Sequence, residues 1–179
     1  SSYEWLKMIK RADIKLYGIL FLCFSFYSAF YFRDQNLEGF LLIILICVST
    51  DIGGYIFGNL FKGPKLTKIS PNKTRSGMIG SFVLSLIVSS LFVIQYSNEI
   101  YINQNSIEND FKFVILILLI SSVSQIGDLI ISYFKRYSKI KNTGNIIPGH
   151  GGLLDRIDGM IFVFPFVYLI TLISIIIKL

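Results

Sequence analysis

The sequence has few charged residues and only four prolines, and each shortage excludes a class of protein. Charged side chains make up 16% of the 179 residues, whereas hydrophobic types make up 53%. Because soluble domains normally carry about 25% charged residues, this composition excludes an ordinary soluble fold. With so many apolar residues and so few prolines, the chain is not disordered either. We therefore expect a protein whose solvent is a lipid bilayer.

Histidine and cysteine are also scarce. A single histidine excludes a metal site built from several imidazoles. Cys23 and Cys47 both lie in apolar runs, so we expect two small buried side chains and neither a disulfide framework nor a thiolate metal site. The excess of 17 basic over 11 acidic residues does not indicate nucleic acid, because cytoplasmic loops of membrane proteins collect Lys and Arg.

Five segments are long and apolar enough to cross a membrane, which requires about 20 residues. They are residues 14–32, 39–60, 77–96, 111–134 and 157–177. No fixed-period repeat or linker divides them. We predict an all-α, polytopic integral membrane protein with about five transmembrane helices, folded as a single membrane-embedded catalytic domain over residues 1–179.

The basic residues predict how these helices are oriented. Of the 17, 14 lie in the N-terminal segment up to Lys15, between the second and third spans, or between the fourth and fifth. The positive-inside rule makes these loops cytoplasmic, with the N-terminus inside and the C-terminus outside. The segment from Tyr3 to Arg11 is typical of an amphipathic helix at the interface, with Trp5 at the level of the headgroups.

Two acids, Asp51 and Asp128, lie inside predicted spans, where an unpartnered carboxylate costs several kcal/mol. They indicate either a functional cavity or a structural bond between helices. Asp51 is followed by three glycines, at positions 53, 54 and 58, whose spacing permits close helix packing. Asp128 ends a polar stretch, and at 3.6 residues per turn it shares its helix face with Ser132, Lys135 and Arg136.

The loop before the last span contains a second acidic pair, Asp155 and Asp158, preceded by glycines. On a helix this spacing of three puts both carboxylates on one face, which suits a divalent metal. The simpler interpretation is that they only complement a helix N-terminus. Taken alone, His150 in a glycine loop is more often structural than catalytic.

A third element is the basic loop 62–74, where Ser70, Lys73 and Thr74 combine a cation with hydroxyls, as phosphate binding requires. A basic loop alone is more often a topology signal or a contact for anionic lipids. Together with the intramembrane acids and the acidic pair, it suits metal-assisted phosphoryl or nucleotidyl transfer to a lipid.

The same residues resemble the signature of the phosphatidate cytidylyltransferase family, also called CDP-diacylglycerol synthases. The matches keep the family's order and extend over about 60% of the chain, from Asp51 to Asp158. The long signature reads here as Ser132, Lys135-Arg136, Lys141-Asn142, Pro148 to Gly152, and Asp155-Arg156-Ile157-Asp158. Two upstream segments match as Asp51 to Tyr55 with Gly58, and as Ser70 to Thr74 with Gly77 and Gly80. Glu4-Trp5 also resembles a pair found in the family.

The resemblance implies that CTP and phosphatidic acid react to give CDP-diacylglycerol and pyrophosphate for phospholipid biosynthesis. It implies Mg²⁺, and spacing leaves open whether a monovalent cation such as K⁺ accompanies it. It also implies a membrane homodimer with a site facing the cytoplasm, and the compact chain favours a bacterial inner membrane. By position, the implied catalytic residues are Asp128, Lys135, Arg136, Asp155 and Asp158, with the three aspartates as metal ligands. Substrate would contact Ser70, Lys73, Thr74, His150, Gly151 and Arg156, while Asp51, Ser132 and Asn142 are further candidates.

The sequence also departs from the family pattern. Asn142 stands where family members have Asp, which keeps an oxygen but loses the charge and leaves open a catalytically impaired homologue. Family enzymes usually carry additional N-terminal spans, which we expect this chain, starting at Ser1, to lack. A CDP-alcohol phosphotransferase is excluded, because the Ala-Arg and later acids of its motif are missing after Gly159. A small transporter or scaffold that uses Asp51 and Asp128 as a cation path remains as the alternative, and CTP binding distinguishes it.

Overall fold

The structure is a computed structural model that describes residues 1–9, 11–67, 70, 73–96, 106–140, 142–144 and 151–178. Over these residues it is helical apart from the connections, and an isolated bridge pairs Lys65 with Thr74. The all-α prediction is confirmed. The helices are α1 (Ser2–Met8), α2 (Ala12–Gln35), α3 (Leu37–Phe61), α4 (Arg75–Tyr96), α5 (Ser106–Tyr137), α6 (Leu154–Ile157) and α7 (Met160–Lys178).

The long helices confirm the polytopic membrane architecture. Helices α2 to α5 are each long and apolar enough to cross a membrane, and they contain the first four predicted spans. The fifth prediction started too early, because Ile157 ends α6 and the chain turns at Asp158 and Gly159 before α7 begins. Helix α7 has 19 residues, and its apolar stretch Met160–Ser174 is shorter than the other four spans. At 1.5 Å per residue the whole helix rises about 28 Å, close to the hydrocarbon thickness.

The chain divides into two compact units. The first contains Ser1–Leu37 and Ile126–Leu179, and the second contains Glu38–Gln125. Helix α5 contributes residues to both units, since it continues through Gln125 and Ile126. The prediction of a single domain stays a prediction.

The first unit has a core in which α1 packs among the longer helices. Phe21 and Phe24 of α2 contact Phe162 and Tyr168 of α7 through aromatic rings at 4.9 and 5.9 Å. The buried apolar residues of this core come from five helices and the α1–α2 connection: Trp5, Met8, Ile9, Leu22, Ile131, Leu154 and Ile161. Between membrane helices such contacts stabilise the unit through van der Waals packing.

One sequence expectation about a single residue stays a prediction and another was wrong. Trp5 is 5% exposed and its ring meets Phe134 edge-on, with centroids 5.2 Å apart, while its expected position at the headgroup level stays a prediction. Its indole N–H donates to the carbonyl of Lys15 at 3.3 Å, so the polar edge is satisfied inside the protein. Cys47 is buried as expected, whereas Cys23 lies on an exposed face of α2.

The second unit is held together by small residues between α3 and α4. A Cβ atom placed on Gly53 would lie 2.7 Å from the carbonyl oxygen of Gly80, and one on Gly77 would lie 2.6 Å from that of Gly54. Real Cβ atoms do not come this close, so only glycine permits the helices to approach. The predicted packing role of these glycines is confirmed. Where the helices touch, the Ser81 hydroxyl donates to the Thr50 carbonyl at 2.6 Å.

Candidate active site

Asp155 lies at the centre of the polar contacts in the first unit. It belongs to α6, and its Oδ1 accepts a hydrogen bond from Nζ of Lys135, near the end of α5, at 2.9 Å. Its Oδ2 accepts the backbone N–H of Thr143 at 2.9 Å and that of Gly152 at 3.1 Å. The Lys135 and Asp155 side chains are only 14% and 13% exposed. The structure thus brings two sequence-predicted site residues into direct contact.

This environment controls the protonation of Asp155. Burial alone would raise the pKa of the carboxyl group, but the hydrogen bond and charge of Lys135 outweigh it, helped by the N–H groups of Thr143 and Gly152. The pKa of Asp155 is therefore held below its ordinary value. At neutral pH the carboxylate is charged and keeps the Lys135 ammonium in place.

Gly151 and Asn142 lie beside this carboxylate. Gly151 has φ +87°, a backbone conformation that side-chain-bearing residues rarely adopt. A Cβ on Gly151 would lie 3.3 Å from Oδ2 of Asp155 and 3.7 Å from Cβ of Asn142. The structure therefore groups Gly151, Asn142 and Asp155, and the positive φ of Gly151 favours glycine at this position.

Asp128 and Asp158 lie where α5 meets the start of α7. The hydroxyl of Ser132 donates to Oδ1 of Asp128 at 3.3 Å, one turn along α5. Asp158 is 8% exposed, and its Oδ1 accepts the N–H of Gly159 at 3.0 Å. Gly127 lets the two elements approach, because a Cβ there would lie 3.1 Å from the Asp158 carbonyl oxygen. The residue before Asp128 thus packs on the backbone of Asp158.

The three predicted metal ligands do not form one cluster. In the described part of the chain no group of three or more His, Cys, Asp or Glu side chains is placed to hold a metal. Both oxygens of Asp155 accept hydrogen bonds, from Lys135 and from backbone N–H groups. Asp128 and Asp158 keep the hard oxygen donors that Mg²⁺ prefers, and Mg²⁺ commonly uses one or two carboxylates together with substrate phosphates. The donor chemistry of these carboxylates fits Mg²⁺, and the assignment of the three aspartates as its ligands stays a prediction.

The other predicted residues of this unit lie at its surface or outside the described residues. Arg136 and Arg156 are exposed, so their guanidinium groups are accessible to an anion. Asn142 is also exposed. His150 lies outside the described residues, as do Lys141, Pro148 and Gly149 of the signature.

Four of the predicted site residues belong to the second unit: Asp51, Ser70, Lys73 and Thr74. Thr74 is the N-cap of α4, because its hydroxyl accepts the N–H of Gly77 at 3.1 Å. The loop before it folds back on itself: the Leu66 N–H donates to the Lys73 carbonyl at 2.7 Å, and the Lys73 N–H donates to that of Ser70 at 3.1 Å. Asp51 lies on an exposed face of α3. The substrate contacts assigned to these four residues stay predictions.

The structure adds Glu4, whose role was not anticipated from the sequence. Its side chain is 1% exposed, and its two oxygens accept the N–H groups of Leu153 and Leu154 at 2.9 and 2.7 Å. Its partners lie about 150 positions away, so no local pattern identifies them. The only available signal was the resemblance of Glu4-Trp5 to a pair in the family.

An apolar cavity of about 220 Å³ lies in the same unit. Ile130, Ile131 and Phe134 form its wall on α5, and these residues flank Ser132 and Lys135 in the sequence. Gly18 and Phe162 are among the residues that α2 and α7 contribute. Polar and apolar groups thus lie next to one another at the end of α5.

These features define an integral membrane protein with a carboxylate and lysine site at the end of an apolar helix. The chain belongs to the cytidylyltransferase family, whose sequence profile matches residues 3–174. A relative from Staphylococcus saprophyticus, named phosphatidate cytidylyltransferase, is 37% identical over 151 residues, which cover 84% of this chain and 55% of that protein. Relatives with the same name from Bacillus subtilis and Rickettsia bellii are 38% and 34% identical over 152 and 172 residues. These matches cover 82% and 94% of this chain, and 52% and 74% of the relatives. The chain spans about half the length of the first and second of these relatives.

Proposed function

We propose that the protein is a phosphatidate cytidylyltransferase, which transfers the cytidylyl group of CTP to phosphatidic acid. The observation that best supports this is the Lys135–Asp155 pair at the end of an apolar helix, beside an apolar cavity. A lipid phosphate needs a cation next to a region that accepts acyl chains, and this arrangement supplies both. The names of the relatives support the same reaction.

In this reaction a phosphate oxygen of phosphatidic acid attacks the α-phosphorus of CTP. The bond from that phosphorus to the oxygen bridging to the β-phosphate breaks, and pyrophosphate leaves with the electron pair. A phosphomonoester has a second pKa of about 6, so the attacking group is largely dianionic at neutral pH. No side chain therefore has to remove a proton from it.

The basic residues stabilise the charge that accumulates on the leaving pyrophosphate. Asp155 fixes the Lys135 ammonium through the 2.9 Å contact, so this charge is oriented before substrate arrives. Arg136 and Arg156 are exposed and supply guanidinium groups that match phosphate oxygens. In this proposal Asp155 orients Lys135, and Asp128 and Asp158 are the two of the three aspartates implied as metal ligands that hold the metal.

The oxygen donors of Asp128 and Asp158 would hold Mg²⁺ together with the triphosphate. When bound, Mg²⁺ neutralises phosphate charge and polarises the reacting phosphorus. Ser132 orients the Asp128 carboxylate through its hydroxyl, and Gly127 keeps α5 close to Asp158.

In this proposal the site faces the cytoplasm. Lys135 and Arg136 are among the 14 of 17 basic residues that lie on one side of the predicted membrane helices, and the positive-inside rule makes that side cytoplasmic. Soluble CTP is then available on the same side. The proposal includes a bacterial inner membrane and a homodimer, which the family resemblance implies; the bacterial origin of the relatives supports the choice of membrane. Crosslinking of the protein in native membranes tests the dimer.

The experiment that tests the function is the conversion of labelled CTP into a lipid-extractable product by the purified protein. We expect product only when phosphatidic acid and Mg²⁺ are both present, with diacylglycerol as the matched lipid control that lacks the phosphate. No product with intact CTP binding would indicate an impaired homologue. If the protein forms no product and also fails to bind CTP, the proposal is contradicted and the transporter or scaffold alternative is favoured.

A further inference from the structure

Helix α1 inserts a buried carboxylate into the loop that precedes α6. Glu4 is 1% exposed and accepts the N–H of Leu153 through Oε1, at 2.9 Å, and that of Leu154 through Oε2, at 2.7 Å. Burying a carboxylate is costly unless its oxygens are hydrogen-bonded. The N–H groups at the start of a helix in turn lack partners within that helix. Glu4 and the start of α6 therefore satisfy each other.

The contacts of Glu4 continue directly into those of Asp155. The N–H of Gly152 donates to Asp155 at 3.1 Å, and the next two N–H groups donate to Glu4. Three consecutive backbone donors are thus held by two carboxylates, one of which is a predicted site residue. The orientation of Asp155, and through it that of Lys135, depends on the backbone that Glu4 holds.

The loop is also shaped to receive Glu4. A Cβ on Gly144 would lie 2.9 Å from Oε1 of Glu4, and one on Gly152 would lie 2.7 Å from the same oxygen. Side chains at either position would displace the carboxylate. A segment far away in sequence therefore fits a space that two glycines leave open.

Trp5 fixes the position of Glu4 on the membrane helices. Its indole N–H donates to the Lys15 carbonyl, and its ring meets Phe134, the residue before Lys135. Gly18 provides the space for the ring, since a Cβ there would collide with the indole. Helix α1 thus connects α2, the end of α5 and the loop that bears Asp155.

We infer that Glu4 is a positioning residue for the candidate active site, acting through the backbone of residues 152–154 and not by touching substrate. This inference rests on the proposed function, because its catalytic test measures kcat for cytidylyl transfer. Because a misplacement of about 1 Å can lower a rate about 100-fold, losing Glu4 should affect turnover more than substrate binding. Gln in its place keeps the size and one acceptor oxygen, whereas Ala keeps neither.

The test compares Glu4→Gln, Glu4→Ala and the control Glu38→Gln, which makes the same change at an exposed position on α3. Trp5 is the only tryptophan, so its emission reports whether α1 is still docked, and kcat is expressed per folded protein. We expect kcat to fall about 10- to 100-fold in Glu4→Gln and further in Glu4→Ala, with KM for CTP within about threefold. Glu38→Gln should match the wild type.

Hydrogen exchange supplies a readout that is independent of activity. The amides of Leu153 and Leu154 should exchange faster in both Glu4 variants and at the wild-type rate in Glu38→Gln. Wild-type kcat in folded Glu4→Gln, or unchanged exchange at both amides, would overturn the inference. If the wild type itself transfers no cytidylyl group, the proposed function and the catalytic part of this inference fail together, while exchange still decides whether Glu4 anchors the loop.

Discussion

Replacing Lys135 by Met removes the charge that faces Asp155 while keeping most of the side-chain volume. An exposed ion pair contributes about 0.2–1 kcal/mol, and breaking a fully buried one costs about 3–5 kcal/mol. The Lys135–Asp155 pair lies between these limits, because the side chains are 14% and 13% exposed and two backbone N–H groups continue to hold Asp155 in the variant. We therefore expect the free energy of unfolding to fall by about 1–3 kcal/mol.

The assay is reversible unfolding in mixed micelles, followed by Trp5 emission. Lys7→Met, at an exposed lysine of α1, is the matched control and should change stability by less than about 0.5 kcal/mol. A double-mutant cycle with Asp155→Asn isolates the pair from other effects of each change. A coupling energy of about 1 kcal/mol or more is expected, and one below about 0.3 kcal/mol would refute the pairing.

The pH dependence gives a second check on the same pair. The folded pKa of Asp155 is lowered, so the stabilisation is complete above the unfolded pKa of about 3.9 and is lost as pH falls through the lower folded value. The difference between the wild type and Lys135→Met should therefore be constant from pH 7 to pH 5 and shrink below about pH 4. If the stability difference between the wild type and Lys135→Met disappears already near pH 6, a group other than Asp155 is responsible for it.

Three further predictions concern the metal donors, the helix packing and the cap of α4. Asp158→Asn should lower Mg²⁺-dependent turnover more than about 100-fold in protein that stays folded by circular dichroism, and near-normal turnover would remove Asp158 from the metal site. Gly80→Ala places a Cβ against Phe57 and should lower the free energy of unfolding by about 1–3 kcal/mol, whereas an unchanged value would contradict the close packing of α3 on α4. Thr74→Ala should lower the free energy of unfolding by about 1 kcal/mol, because the hydrogen bond from the Gly77 N–H is lost. Thr74→Ser keeps the hydroxyl and should retain the wild-type stability. Equal losses of stability in both variants would argue against capping.

The membrane helices were predictable because their signal is local. A run of about 20 apolar residues is sufficient to predict a span, and α2 to α5 contain the runs found in the sequence. The glycines at positions 53, 54 and 58 were also informative, since their spacing indicates a face that another helix approaches. The start of α7 was less visible, because Ile157 continues the apolar pattern although Asp158 and Gly159 form a turn.

The contacts of the site were predictable only in part. The signature marked Lys135 and Asp155, but spacing alone did not show that they bind each other, because the two residues lie 20 positions apart on different helices. Trp5 has the sequence context of an interfacial residue and is nevertheless buried against Phe134. Glu4 could not be assigned from the sequence, since its partners are brought to it only by the folding of residues about 150 positions away.

The central claim is that the α-phosphorus of CTP becomes part of a lipid, and the position of the label tests it directly. Purified protein would be given phosphatidic acid, Mg²⁺ and CTP labelled with ³²P at either the α- or the γ-phosphate. We predict that α-label enters the organic phase as CDP-diacylglycerol, while γ-label stays in the aqueous phase as pyrophosphate. Lipid-bound γ-label would show a kinase reaction instead, and no lipid-bound label from either CTP would contradict the cytidylyltransferase account.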